Sequence, residues 1–471
     1  LIARTILLFL GFSTCFLRPF PYHKLLKHAF FKNIEFFCEQ LKKMTTPNEK
    51  KNETAIDYEL EITRTKPDYT IFKPTLNNDT GNEHVLVFDA PDGSLMVVWT
   101  QSSYEGAGDH RIVLSRSKDN GKNWSQPVRI AGPSQKGQCN QTSWGFPLVS
   151  KSGRIYVLYN QYQGIADFHH QVTGTMDAIF TDDLGKSWSN PQTIPMKRSP
   201  YDHPNPKYPS NWIVWQKPER LSKGKYFTGF TRWVSPEVRT PPHYHNTWSQ
   251  DSVTEFMRFE NIDDDPEPRD IEITNSAWGE KALRVGHYTN PLLSVAQEPS
   301  IVKLPDDRLF CVMRTMTGYI WYSVSSDQGL NWCNPRPLLR KDFGKVILQP
   351  ICCCPIYTLS DGRFILLHHD RLNETKPEDS QTNRRPAYIA LGEFRPNAEQ
   401  PIWFSNSKQL MDNDNVPLGP LNRVDLGVYS SFTNRNSEDV LWHPDRKFFV
   451  LGKKITPEFL KDLKVTQTKH T

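Results

Sequence analysis

The chain has 471 residues, 23% charged and 37% hydrophobic, a length for roughly two or three average domains or one large repetitive one, with a composition that excludes disorder, collagen and coiled coil. Its formal net charge of +5 argues against a dedicated nucleic-acid binder unless the positive charges cluster, and is compatible with a small anionic ligand. Aromatic residues make up 12%, and 13 Trp, 36 Pro and 25 Gly are scattered along the chain, which suits many short strands joined by turns. No apolar run reaches the roughly 18 to 20 residues of a membrane-crossing helix, so no span is expected in the body of the chain.

Residues 1–43 open with an apolar run, Ile6 to Leu17, preceded by Arg4 and followed by the basic and aromatic stretch Lys24 to Lys43. The run has the length of a signal-peptide core, but no clear small-residue cleavage site follows it. Two readings stand: a secretory segment, or an extension upstream of a start at Met44, which would make the protein cytoplasmic. Asn-x-Ser/Thr triplets begin at Asn52, Asn78, Asn123, Asn140 and Asn373 and matter only on the secretory route. Residues 44–79 read as a lead-in, 80–455 as one repetitive domain and 456–471 as a tail.

From Asp92 onward two short patterns recur. The first is a polar turn followed by a strand: Asp92-Gly-Ser-Leu-Met-Val-Val-Trp99, Ser152-Gly-Arg-Ile-Tyr-Val-Leu-Tyr159, Asp306-Asp-Arg-Leu-Phe-Cys-Val-Met313 and Asp361-Gly-Arg-Phe-Ile-Leu-Leu-His368. The second is Ser/Thr-x-Asp-x-Gly-x-x-Trp, found at Ser117–Trp124, Thr181–Trp188 and Ser325–Trp332. Its chemistry is that of a hairpin turn: hydroxyl and carboxylate satisfy turn amides, Gly supplies a positive φ, and Trp packs the turn onto the sheet. The spacing is that of propeller blades with one degenerate blade between the second and third copies, and residues 80–455 have room for six blades of about 65 residues.

Between the second and third turns, Asn211-Trp-Ile-Val-Trp-Gln-Lys-Pro218 and Gly229-Phe-Thr-Arg-Trp-Val234 form a strongly aromatic blade, whose rings suit core packing or the stacking of a sugar face. The eight cysteines, Cys15, Cys38, Cys139, Cys311, Cys333 and Cys352 to Cys354, lack metal-ligand spacing. The triplet lies in an apolar stretch read as a strand of small buried hydrophobes. His368-His369-Asp370 is not read as a metal site, because neighbouring strand residues face opposite ways.

The turn motif resembles the Asp-box (BNR) repeat of the sialidase (neuraminidase) superfamily, over roughly residues 80–455. That resemblance implies an all-β fold: a six-bladed β-propeller of four-stranded antiparallel blades. It also implies site residues. Glu298 and Arg314, in Glu298-Pro-Ser-Ile-Val-Lys-Leu-Pro-Asp-Asp-Arg-Leu-Phe-Cys-Val-Met-Arg314, match the family's catalytic glutamate and a carboxylate-binding arginine. Tyr429 in Gly427-Val-Tyr429-Ser-Ser-Phe432 matches its nucleophile. A neutral phenol relieved of its proton by a neighbouring Glu suits attack on an anionic sugar, which a carboxylate nucleophile would repel.

The family's acid/base lies in a first-blade loop, where Tyr104-Glu-Gly-Ala-Gly-Asp109 offers Glu105 and Asp109, with Asp109 slightly preferred. Of the three arginines that bind the substrate carboxylate in the family, Arg314 fits the second, and Arg384 or Arg385 fits the third. The first is absent: Asn82-Glu-His84 stands where an Arg-Ile-Pro motif is expected. His84 could supply one hydrogen bond in its place, and Arg232, His243 and His245 are further pocket candidates. The expectation is a retaining exo-glycosidase acting on the terminal, acidic sugar of a glycan or glycoconjugate, with no metal or organic cofactor. A non-catalytic glycan-binding propeller and a propeller polysaccharide lyase are the alternatives.

Overall fold

Each blade is packed between two others, so its inner strands bury both faces and lose the polar/apolar alternation of a one-sided sheet. Every residue of Leu95–Ser102 is buried, whereas in Val128–Ala131 at the rim of the same blade only Ala131 is. The computed structural model describes residues 57–134, 140–239, 251–288, 290–370 and 384–465. The N-terminal readings at residues 1–43, with Cys15, Cys38, Cys139, His243 and His245, lie outside the described residues.

The strands assemble into six antiparallel sheets arranged as a β-propeller. Blade I is Gly81–Asp89, Leu95–Ser102, Arg111–Ser117 and Val128–Ala131, from axis to rim. Blade II is Thr142–Val149, Ile155–Gln161, Thr175–Thr181 and Gln192–Ile194; blade IV is Ala296–Lys303, Leu309–Thr315, Trp321–Ser325 and Arg336–Pro337; blade V is Ile356–Thr358, Phe364–His368, Ala387–Phe394 and Ile402–Met411. In blade III the innermost strand is interrupted: Trp212–Ile213 and Glu219–Arg220 both pair with Tyr226–Trp233, followed outward by Ser252–Phe259 and Ile273–Ser276.

Blade VI closes the ring. Its inner three strands, Ser431–Arg435, Glu438–Asp445 and Phe449–Lys454, come from the end of the chain, and its outer strand is Tyr69–Phe72 from the beginning. The propeller thus takes in part of the segment read as a lead-in. The seam is held by Tyr69 Oη donating to Glu438 at 2.6 Å and by its ring 5.3 Å from Trp442. Val85, Val87, Leu95, Val97 and Trp99 of blade I pack with Trp442 and Val450 of blade VI. Comparable apolar clusters join the later blades to one another.

The three Asp-box turns link third to fourth strands of blades I, II and IV, which confirms the degenerate third blade. In each, the hydroxyl donates to the Asp carboxylate and accepts the Gly amide, as in Ser117 Oγ to Asp119 at 2.8 Å and Gly121 N to Ser117 at 2.8 Å. Trp124 and Trp332 donate to the carbonyl of their own box glycine. Strand direction places all these turns at one end of the propeller, and the starts of the inner strands at the other.

Candidate active site

At that other end, three inner strands depart from the regular ladder. Register slips between Glu83 and Leu86, Ser143 and Phe146, and Gln297 and Ser300. Within each slip one residue takes a positive φ: His84 (60°), Trp144 (60°) and Glu298 (50°); Tyr429, just ahead of the inner strand of blade VI, does the same at 55°. For a non-glycine residue this conformation costs about 1–3 kcal/mol, and a bulge of this kind re-aims a side chain. Here the freed amides are caught laterally: Trp144 N by Thr100 Oγ1 at 3.0 Å, Glu298 N by Thr231 Oγ1 at 2.7 Å, and Tyr429 N by Cys353 Sγ at 3.2 Å.

Three of the four re-aimed residues, Trp144, Glu298 and Tyr429, line a cavity of about 530 Å³. Arg314, near the end of the second strand of blade IV, enters it beside Glu298. Tyr429 Oη donates to Glu298 Oε1 at 2.8 Å, and Arg314 Nη1 donates to the same oxygen at 2.6 Å. Oε2 of Glu298 and Nε of Arg314 are buried without protein partners. Burial first, and then the adjacent Glu298, push the Tyr429 phenol well above its ordinary range, so at neutral pH it is a neutral hydroxyl with an acceptor in place for its proton.

Arg384 also lines the cavity, with Nη2 donating to the Ile351 carbonyl at 3.0 Å and Nη1 4.0 Å from Asp425. Arg385 turns away into a two-pronged bond with Asp412 at 2.8 and 2.6 Å. The two loop acids separate in the same manner. Glu105 lines the cavity, while Asp109 is buried and accepts Ser103 N at 3.1 Å and Ser103 Oγ at 2.5 Å. Glu105 is bonded by Lys447 at 2.6 Å and by Arg423. Its burial acts to raise its pKa, but Lys447 and Arg423 outweigh that and bring it below the usual carboxylate range.

His84 does not line the cavity. It is fully buried with its ring 5.3 Å from that of Trp144, and burial pushes its pKa down to about 3, leaving a neutral imidazole. Arg232 is also outside the cavity: it is fully buried between Asp202 and Glu255, at 2.6 and 2.7 Å. The Cys352–Cys354 triplet is buried as expected, but in an irregular segment leading into blade V rather than in a strand. It is Cys353 that backs the Tyr429 amide.

Several lining residues escaped sequence reasoning. Arg423 and Asp425 sit on the loop leading to Tyr429, bonded to one another at 3.2 Å. Their proximity to Tyr429 in the chain was the available signal. One wall is apolar, formed by Trp144, Phe168, Val172, Ile213 and Trp233. Phe168 and Trp233 stack at 6.0 Å, so part of the aromatic blade faces the cavity while Trp212 and Trp215 are core. Among the described residues, no group of three His, Cys, Asp or Glu is placed to hold a metal ion, and no helix is long and apolar enough to cross a membrane.

Residues 93–444 match the BNR repeat-like domain. The chain belongs to that family. No curated protein matches the sequence. Among solved structures, the chain is similar to the NanB sialidase from Streptococcus pneumoniae, at 11% identity and a TM-score of 0.55 over 87% of this chain and 73% of that one. The intramolecular trans-sialidase from Ruminococcus gnavus, in complex with oseltamivir carboxylate, gives 12% and 0.54 over 83% and 98%. The Trypanosoma rangeli sialidase in complex with the inhibitor DANA gives 12% and 0.53 over 84% of this chain and 59% of that one. At these identities the likeness is one of fold, a β-propeller built on BNR repeats.

Proposed function

We propose that this propeller is a sialidase-like exo-glycosidase that removes a terminal acidic sugar from a glycan with retention of configuration. The observation that carries the reading is the Tyr429–Glu298 contact of 2.8 Å inside the cavity. In the first step Tyr429 Oη forms a bond to the anomeric carbon as the glycosidic bond breaks. The phenol proton passes to Glu298, and the leaving oxygen takes a proton that Glu105 must first gain from solvent once ligand is bound. In the second step, Glu105 takes a proton from water, which displaces the tyrosine from the anomeric carbon, and Glu298 returns its proton to the phenol. Arg314 and Arg384 hold the acidic group, whose planar carboxylate suits guanidinium forks. Structural neighbours named as sialidases add support at the level of fold.

A glycan-binding propeller without turnover is favoured by one observation: the resting Glu105 is held by two cations, and a general acid must carry a proton. The two readings part in a single assay. Fluorophore release from aryl glycosides of sialic acid, its deaminated analogue and uronic acids is expected from the parent and not from Tyr429→Phe. Binding of the acidic sugars with no release from the parent would replace the hydrolase reading by the lectin-like one.

A further inference from the structure

The cavity wall carries three guanidiniums, Arg314, Arg384 and Arg423, against three carboxylates, Glu298, Asp425 and Glu105. An incoming anion therefore competes with carboxylates already on the wall. The three pairs differ in accessibility. Arg314 with Glu298 is 3% exposed on each side, and Asp425, 7% exposed, is held by Arg423 at 3.2 Å and lies 4.0 Å from Arg384, whereas Arg423 with Glu105 is 30% and 23%. Pairs nearer to water are cheaper to break than buried ones, so the bond between Arg423 and Glu105 yields first, while Arg423 keeps Asp425. Two features make that exchange cheap. Lys447 remains on Glu105 at 2.6 Å, so the displaced carboxylate keeps a cation. Nε of Arg423 is buried without a partner, as are Nε of Arg314 and of Arg384, leaving unused donors on all three guanidiniums.

We infer that Arg423 is a ligand-binding residue that takes the place left by the absent first arginine, and that Glu105 is its competing internal anion, displaced when the acidic group of the ligand arrives. His84, buried and off the cavity, does not fill that place. The inference rests on the acidic-sugar reading above and adds the residue and the exchange that recognition requires. It also gives Glu105 a route to its role: released from Arg423, it loses one of the two cations that hold it ionised in the free protein.

The test is binding, read by the fluorescence of Trp144 and Trp233, which both line the cavity. Free sialic acid and free glucuronic acid are titrated into the full chain, with glucose as the neutral probe. Arg423→Ala is expected to weaken binding of the acid that the parent prefers by about tenfold to a hundredfold, the loss typical of a charge-assisted contact. Glu105→Gln, close in shape, is expected to tighten it several-fold by removing the competitor. Arg435→Ala, whose partner Asp89 lies at the opposite end of blade I, should match the parent. If the parent binds an acid and Arg423→Ala binds it equally, or if Glu105→Gln binds it more weakly, the inference is overturned while the acidic-sugar reading stands. If the parent binds neither acid better than glucose, the acidic-sugar reading itself falls and takes the inference with it.

Discussion

Tyr429 and Glu298 are 131 positions apart in the chain and 2.8 Å apart in space, and both reach the cavity from a left-handed backbone at the start of an inner strand. The contact is a by-product of closing the ring: without blade VI folded against the others, the Tyr429 phenol does not reach Glu298. Removing the phenol oxygen leaves Glu298 bonded to Arg314. Tyr429→Phe should therefore cost no more than about 1 kcal/mol of stability, the usual worth of one hydrogen bond. Glycoside release should drop by at least roughly a thousandfold, as expected for a lost nucleophile. Paired melting curves and initial rates would show it; turnover surviving in the variant would remove Tyr429 from the mechanism.

Much of the fold was legible because its signals are local. An Asp box satisfies its own turn amides within eight residues, so Ser117, Asp119, Gly121 and Trp124 report a hairpin whatever surrounds them. The left-handed residues His84, Trp144, Glu298 and Tyr429 were not legible as such. They depend on lateral acceptors such as Thr100 and Thr231, which stand on second strands far away in sequence. The choices between Glu105 and Asp109, and between Arg384 and Arg385, failed to resolve for a related reason. Adjacent or near-adjacent loop residues are separated by long-range partners, Lys447 and Arg423 for one and Asp412 for the other.

The box glycines should differ in their tolerance of a side chain, although all three have positive φ, from 82° to 88°. A Cβ on Gly329 would lie 2.3 Å from the Phe227 ring and one on Gly121 2.6 Å from Trp442, while on Gly185 its nearest neighbour is Leu114 at 3.2 Å. Every Gly→Ala change here pays roughly 1 kcal/mol or more for the left-handed backbone. Gly329→Ala and Gly121→Ala add a clash with buried aromatic rings, for a total of about 2–4 kcal/mol. Urea unfolding should rank Gly185→Ala as the mildest. Ligand affinity of the folded fraction should stay as in the parent, because the boxes lie at the end away from the cavity.

His84 predicts a pH dependence of stability. Its pKa falls from 6.5 to about 3 on folding, through burial. Between those values the unfolded chain holds a proton that the folded chain refuses, so stability is full above pH 6.5 and is lost steadily as pH falls towards 3. The slope is about 1.4 kcal/mol per pH unit for this one group. Glu83 acts in the opposite sense, since burial and then the nearby Glu105 raise its pKa to about 7. It is common to parent and variant and drops out of their difference. His84→Asn keeps a residue that accepts positive φ and removes the titration. Unfolding free energies from urea titrations at pH 6.5, 5.5 and 4.5 should fall less steeply in the variant by about that slope, and parallel lines would show that His84 is charged in the folded protein.

Arg384 and Arg385 offer the sharpest contrast within the site, because adjacent residues of the same type have opposite surroundings. Arg384 is 8% exposed, lines the cavity and has Nε without a partner. Arg385 spends its fork on Asp412, at 2.8 and 2.6 Å, outside the cavity. For an acidic glycoside, Arg384→Ala should raise KM by about tenfold or more through the loss of a charge-assisted contact. For a neutral aryl glycoside, such as a glucoside, it should change little. Arg385→Ala should leave both profiles as in the parent and cost about 1 kcal/mol at most, as partly exposed ion pairs usually do. Equal losses on both substrates in Arg384→Ala would mean that the residue braces the cavity through Ile351 and Asp425 instead of meeting the ligand.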